Sequence, residues 1–327
     1  MARVVGLGEV MIRLAPPGRQ RIEQAHSFDI EIGGAELNTL VGLARLGHDC
    51  SLVTRLPDNP LGRLVRNRIR EHGVGTEYVK LVDDGRQGLC FFEAGAEPRP
   101  SEVFYDRANS AFARIDCFDF DWDVIATMYE ILHVSGITLA LSESARRTVD
   151  IAMRAFKRLY KLNSLDVNYR SKLWSVADAA TCFRSFMPMA NYLFASRADA
   201  ETLFGIRDND FPVKLHCENS MPHVVAYTTR TETGGGLRGT IRGHFVGLKG
   251  DSCQSADYSF DLVDRIGAGD AFAAGIIDGC QSGHDDGGVE QATIMAALQH
   301  TIPGDLPIMT RDDIESVRAN KTTGVRR

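Results

Sequence analysis

Short apolar runs alternate with amphipathic segments of helical period along most of the chain, and this alternation restricts its folds more than any other feature. Strand-like runs fall at Val4–Gly8, Ser51–Thr54, Ile131–Val134, Leu165–Val167, Tyr192–Ala195 and Val224–Tyr227. Helical patterns fall at Ala35–Leu46, Leu61–His72, Glu143–Lys161, Val176–Phe186, Ala198–Phe204, Ala271–Ser282 and Val289–His300, with Ser142 placed to cap the third. Strands linked through helices return parallel, and the helices then cover both faces. The expected architecture is a three-layer α/β domain around a mostly parallel central sheet.

Two stretches interrupt the alternation. Met11–Ile32 reads as extended chain around Pro16-Pro17-Gly18, and Arg86–Ala113 reads as strands Leu89–Glu93 and Glu102–Tyr105 joined by a turn at Gly95–Pro100. Neither carries a crossover helix, so both suit a small sheet outside the main one. The expectation is a single domain over residues 1–327 with insertions at about 11–32 and 86–113. Thr231–Gly239 is glycine-rich and reads as a loop between late strands, and the basic tail from Ala319 reads as a frayed end.

Composition narrows the function classes. Of 327 residues, 44% are apolar and 24% charged, enough for a buried core. The net charge of −6 argues against a nucleic-acid partner, and the basic clusters Arg63–Arg70 and Arg154–Lys161 lie on helical patterns as solvated faces. Seven cysteines are scattered without a C-x-x-C pair, as in a protein with reduced thiols. No run reaches membrane-spanning length and the opening residues lack the apolar stretch of a leader, so the expected location is cytoplasmic.

The sharpest motif is Asp264-Arg-Ile-Gly-Ala-Gly-Asp270, which follows a strand-like run and opens an apolar helix. Gly267 and Gly269 allow a tight turn that brings amides, including that of Ala268, close to a ligand, and a helix start adds unpaired N–H groups suited to phosphate. A carboxylate at the rim of an anion site is repelled unless it has a task, and for Asp270 that task is to accept a proton from an attacking hydroxyl. A bare glycine turn with an Asp cap is the structural alternative. The second motif is Gly33-Gly34-Ala-Glu-Leu-Asn38, a diglycine leading into a helix that ends at Gly47, with Asn38 placed to bond a sugar hydroxyl. Competing motifs are missing: there is no G-x-x-x-x-G-K-[ST], Gly6-x-Gly8 has no third glycine, and the cysteines and histidines lack metal-ligand spacing.

Together, in this order and at opposite ends of the chain, the two motifs resemble the signatures of the ribokinase-like (PfkB) carbohydrate kinases. Within them the chain is most similar to the 2-keto-3-deoxygluconate kinases, through Val103-Phe-Tyr105-Asp-Arg107, Ser135-Gly-Ile137-Thr-Leu-Ala-Leu-Ser142, Leu165-Asp-Val-Asn-Tyr-Arg170 and His300-Thr-Ile-Pro-Gly-Asp305. The resemblance implies ATP and Mg²⁺ as cofactors, a homodimer or larger oligomer, and a β-lid made by the two insertions. It implies that Gly33, Gly34, Asn38, Cys90, Tyr105, Arg107, Ile137 and Arg170 surround the sugar. Ser196, Arg230, Gly267, Gly269 and His300 would face the nucleotide, and Asp199 the metal through water. Two arginines, Arg107 and Arg170, suit a substrate carboxylate independently of the resemblance. Cys90 stands where related enzymes have a tyrosine, Asp106 replaces a second tyrosine, and Ser196-Arg-Ala-Asp199 replaces an Asn-x-x-Glu motif. The expected activity is phosphorylation of 2-keto-3-deoxygluconate. The alternatives are another acceptor (fructose, ribose or 2-keto-3-deoxygalactonate) and a non-catalytic sugar-acid-binding protein.

Overall fold

The computed structural model describes residues 1–207, 222–233, 238–247 and 250–319. Its main sheet has ten strands, and the expected alternation is realised in its parallel half. β1 (Arg3–Leu7) lies between β4 (Asp49–Pro57) and β8 (Ile131–Ser135). Beyond β4 comes β5 (Val79–Val82); beyond β8 come β9 (Leu162–Asp166), β10 (Tyr192–Phe194) and β11 (Val224–Thr233), all parallel. An antiparallel edge follows, in which β12 (Arg238–Gly247) pairs with β11, β13 (Ser252–Gln254) and β14 (Tyr258–Asp261).

Neighbouring side chains on a strand point to opposite faces, so each buried strand feeds two cores. Val4, Ile131 and Ala226 pack on one face with α1 (Ala35–Arg45), α2 (Pro60–Glu71), α8 (Ala268–Gln281), α9 (Val289–Gln299) and α10 (Arg311–Arg318). Val5, Leu132 and Val225 pack on the other with α3 (Trp122–Met128), α4 (Gly136–Leu141), α5 (Glu143–Arg158), α6 (Val176–Phe186) and α7 (Arg197–Phe204). The three layers are those expected. Ser142 caps α5 by accepting from Ala145 N at 3.0 Å.

The interruptions form a separate four-stranded sheet. β2 (Met11–Ala15) is central, between β3 (Asp29–Gly33) and β6 (Leu89–Glu93), and β7 (Glu102–Asp106) closes the edge. Two expectations change. β11 and β12 extend into Thr231–Gly239, where Thr231, Glu232 and Thr233 pair with Thr240, Gly239 and Arg238. The helix expected from Ala271 begins at Ala268, so Asp270 lies inside its first turn. Residues 234–237, the tail beyond Ala319 and Cys217 lie outside the described residues.

Candidate active site

A cavity of about 760 Å³ opens at the carboxyl ends of β1, β8, β9 and β10, beneath the small sheet. Open α/β sheets place ligands there because the loops that follow the strands are free to vary. α8 enters the cavity by its N-terminus. Gly267, its N-cap, has φ +85°, and a Cβ there would stand 2.1 Å from Asp305 O, so both conformation and packing require glycine. The amides of Ala268, Gly269 and Asp270 precede the first helical bond, from Ala271 N to Gly267 O, and stay available to an acceptor. Nothing stands within 4 Å of where a Gly269 Cβ would be, so the approach to these amides is open.

Asp270 is the third residue of that helix and only 8% exposed. Burial is the main cause that lifts its carboxyl to about 7, with Glu36 and Asp305 pushing the same way. An amide hydrogen bond from Asn38 Nδ2 to Asp270 Oδ2 at 2.7 Å and the Arg170 charge pull it down. A carboxylate that titrates near neutrality suits a proton acceptor. Asn38 stands in the first turn of α1, whose N-cap is Gly34. A Cβ at Gly34 would meet Glu9 O at 2.2 Å, which explains the glycine by close backbone approach.

The small sheet contributes Cys90 and Tyr105, while Gly33, Ile137, Arg107 and Arg170 complete the expected sugar side. Cys90 is 5% exposed, and burial pushes its thiol up to about 12. Arg170 follows Asn168, which takes a left-handed conformation (φ 38°) and turns the chain across the end of β9. Arg170 is exposed to the cavity and forms no ion pair among the described residues. Arg107 differs from expectation. Its Nε donates to Glu9 Oε2 at 2.8 Å and its Nη2 to the same oxygen, so one arginine rather than two is unpaired.

Of the residues expected to face the nucleotide, Ser196 and Asp199 line the cavity. They form a capping box on α7: Ser196 Oγ donates to Asp199 Oδ2 at 2.7 Å and accepts from Asp199 N at 3.0 Å. That cap occupies Oδ2, and Oδ1 accepts no hydrogen bond among the described residues. Burial raises the Asp199 carboxyl, while the Ser196 hydrogen bonds lower it. His300 and Arg230 are corrections, for neither lines the cavity. His300 is fully buried, stacked on Phe260 at 4.1 Å, with Nδ1 3.2 Å from Asp264 O, so it supports the glycine turn from behind. Arg230 pairs with Glu232 at 3.1 Å, and Glu232 in turn holds Arg265.

Sequence reasoning missed four acidic groups. Glu9, Glu36, Asp166 and Asp305 all line the cavity. Glu36 Oε1 accepts from Ser135 N, Ser135 Oγ and Thr138 Oγ1 at 2.7–2.8 Å, yet burial still lifts its carboxyl. Asp166 is raised well above the ordinary range by burial and then by the charges of Asp270 and Asp199. The signal that could have found Glu9 and Asp166 is their place at strand ends beside the quoted motifs.

The matches to known proteins agree with this geometry. Residues 1–298 match the pfkB family carbohydrate kinase model. The chain is 34% identical to a 2-dehydro-3-deoxygalactonokinase of Haloferax volcanii, over 100% of this chain and 99% of that one. It is 30% identical to a 2-dehydro-3-deoxygluconokinase of Thermoproteus tenax, over 93% and 90%. The crystal structure of a 2-dehydro-3-deoxygluconokinase from Thermotoga maritima superposes with a TM-score of 0.93 at 34% identity, covering 97% of this chain and 98% of that one. A family match over residues 1–298 of the 327 leaves no ambiguity of family: the protein belongs to the pfkB carbohydrate kinases.

Proposed function

We propose that the protein transfers the γ-phosphate of ATP to a hydroxyl of a sugar acid, with 2-keto-3-deoxygluconate as the acceptor and its 6-phosphate as the product. The observation that carries this reading is the first turn of α8, where three unpaired amides adjoin a buried carboxyl that titrates near 7. In this reading Asp270 takes the proton of the acceptor hydroxyl as that oxygen attacks phosphorus. The amides of Ala268, Gly269 and Asp270 receive the charge that moves onto the phosphate oxygens. Asn38 holds the Asp270 carboxylate toward the acceptor through its 2.7 Å hydrogen bond.

The pfkB kinases use ATP, and we assign magnesium as its companion here. No group of three or more His, Cys, Asp or Glu that could hold a metal ion is found among the described residues. That fits an ion which keeps most of its waters and takes other ligands from phosphates. Asp199 is the residue that would hold it, through water, and the ion would offset charge on the phosphate oxygens.

The acid group of the substrate is assigned to Arg170, the unpaired guanidinium of the cavity, while Arg107 holds Glu9 in place. Relatives named for both the gluconate and the galactonate acid keep the C4 epimer as the second acceptor. Among the described residues no helix is long and apolar enough to cross a membrane, and work on ATP and a sugar acid suits the cytoplasm. Ile30, Phe104 and Tyr105 are exposed on the small sheet, which we take as the lid and as the surface that joins two copies.

The test is turnover of ATP with 2-keto-3-deoxygluconate, 2-keto-3-deoxygalactonate, fructose and ribose. Either keto-acid should exceed both neutral sugars in kcat/KM. Fructose or ribose as the best acceptor would remove the sugar-acid reading, and no turnover with any would favour a binding protein. Arg170→Ala then tests the carboxylate contact. Losing one partner of a buried charge pair costs about 2–5 kcal/mol, or roughly thirty-fold to several-thousand-fold in affinity. KM for the acid should rise by that order, and far less for the analogue reduced to an alcohol. Equal losses on both would make Arg170 structural.

A further inference from the structure

A deeply buried cluster of charges lies between the small sheet and the glycine turn, and of its three members Asp305 alone lines the cavity. Arg13, on β2, is 3% exposed and lies 4.1 Å from the Phe92 ring centroid. Its Nη2 donates to Asp264 Oδ2 at 2.6 Å and its Nη1 to Asp305 Oδ1. The side chains of Asp264 and Asp305 are 6% and 9% exposed. Three charges taken from water at one point carry a large desolvation cost, so their geometry calls for an account.

Each aspartate holds one wall of the phosphate turn. Asp264 Oδ1 accepts from Arg265 N at 2.7 Å and Ile266 N at 3.2 Å, which curls the chain into Gly267. Asp264 Oδ2 also accepts from Gly304 N at 3.2 Å, which ties this turn to the loop that carries Asp305. The backbone of Asp305 lies so close behind Gly267 that a Cβ there would stand 2.1 Å from its carbonyl oxygen. Gln299 Nε2 bridges the same two segments, donating to Ile266 O at 3.4 Å and Gly304 O at 3.0 Å. Among the described residues, Arg13 is therefore the small-sheet side chain that hydrogen-bonds both walls, and it does not line the cavity.

We infer that Arg13 is a positioning residue: from the sugar-side sheet it holds Asp264 and Asp305, and through them the amides that receive the nucleotide phosphate. A forked guanidinium reaches two carboxylates at once, whereas an ammonium is a single point charge. The sheet that covers the sugar and the turn that grips the phosphate then share one joint. This rests on the reading that Gly267–Asp270 bind phosphate.

The experiment compares wild type, Arg13→Met, Arg13→Lys and Gly269→Val. Affinity for a non-hydrolysable ATP analogue is read by calorimetry, with the fitted stoichiometry giving the folded fraction, and kcat is scaled to that fraction. Arg13→Met should weaken the analogue at least ten-fold per folded molecule and lower kcat. Arg13→Lys should fall between it and wild type, with a loss of about three-fold or more. A residue that only stabilised the fold would change the stoichiometry and leave the affinity alone. If Arg13→Met does not fold, Arg13→Lys decides: analogue affinity equal to wild type overturns the inference. Gly269→Val separates the two failures. If it weakens the analogue and the Arg13 variants do not, the coupling alone is wrong. If it leaves the analogue unaffected, the phosphate site lies elsewhere and both readings fall.

Discussion

α1 and α8 both begin on a glycine and pack side by side from their first turns, with Asn38 bonded to Asp270 at 2.7 Å and Thr39 Oγ1 3.4 Å from Asp270 O, yet they are not equivalent. The start of α1 is closed. Gly34 abuts Glu9 O, and its own N–H donates to Asn38 Oδ1 at 3.3 Å. Both starts leave three amides ahead of the first helical bond, but the start of α8 is open, with free space in front of Gly269. In sequence both read as a glycine-led helix with a polar residue in the first turn. Space in front of the donors is what separates a packed helix start from an anion site.

The largest effect expected from this asymmetry belongs to Asp270. Asp270→Asn keeps the shape and the contact to Asn38 but removes the base, and kcat should fall about 10²–10⁴-fold while both substrates still bind. A variant with most of its kcat would break the assignment of chemistry to α8. The same substitution should stabilise the fold at alkaline pH. Asp270 titrates near 7 when folded, above its unfolded value, so its contribution to stability is present at low pH and lost as pH rises through 7. The ionised form costs on the order of 4 kcal/mol well above pH 7. The melting temperature of Asp270→Asn should therefore exceed that of wild type at pH 8, and the gap should close toward pH 4.

Next come the two glycines. Gly269→Val fills open space, so it should leave the melting temperature nearly unchanged and weaken ATP about ten-fold to a hundred-fold, the cost of hydrogen bonds to a charged group. Gly34→Ala has no room, and overpacking of this kind costs about 1–3 kcal/mol. Its signature should be a melting temperature lower by several degrees. If the two variants exchange these signatures, the open and closed ends have been misread.

The smallest effect belongs to the contact between the helices. Asn38 favours the charged form of Asp270, so Asn38→Ala should raise that carboxyl above about 7. The acid limb of kcat/KM should move to higher pH, with only a several-fold loss at pH 8.5, where Asp270 is ionised in both proteins. An acid limb that stays in place would mean another group sets it.

Much of this was legible in the sequence because local pattern and tertiary role coincide. α6 was bounded at Val176–Phe186, and β6 at Leu89–Glu93, by composition alone. α3 and the antiparallel strands β12 and β13 were not seen, whereas β14 falls within the strand-like run Tyr258–Val263 that precedes the glycine turn. α3 has only seven residues, and β12 carries Arg238, His244 and three glycines within a run that pairs on both sides. At the site, Asp270, Asn38 and Arg170 announced themselves by motif. The contact of Arg107 with Glu9 was not legible, because the two lie 98 residues apart and only topology brings them together. His300 was misplaced for the opposite reason. It adjoins the Asp305 loop in sequence but sits behind the cavity wall, stacked on Phe260.

The carboxyl groups of the cavity have a consequence for how ligand binding will look in solution. Asp270 and Asp305 are raised by burial to about 7 and about 6, and burial also raises Asp166, Asp199 and Glu36. Near neutral pH the site is thus a partial proton store facing one unpaired guanidinium. A charged ligand that enters shifts these carboxyl groups between their protonated and ionised forms, and the protons exchanged pass between site and buffer. Heats of binding will then carry the buffer's own ionisation enthalpy. The same affinity will be reached with different apparent enthalpies in phosphate and in Tris, and their difference counts the protons exchanged with the site.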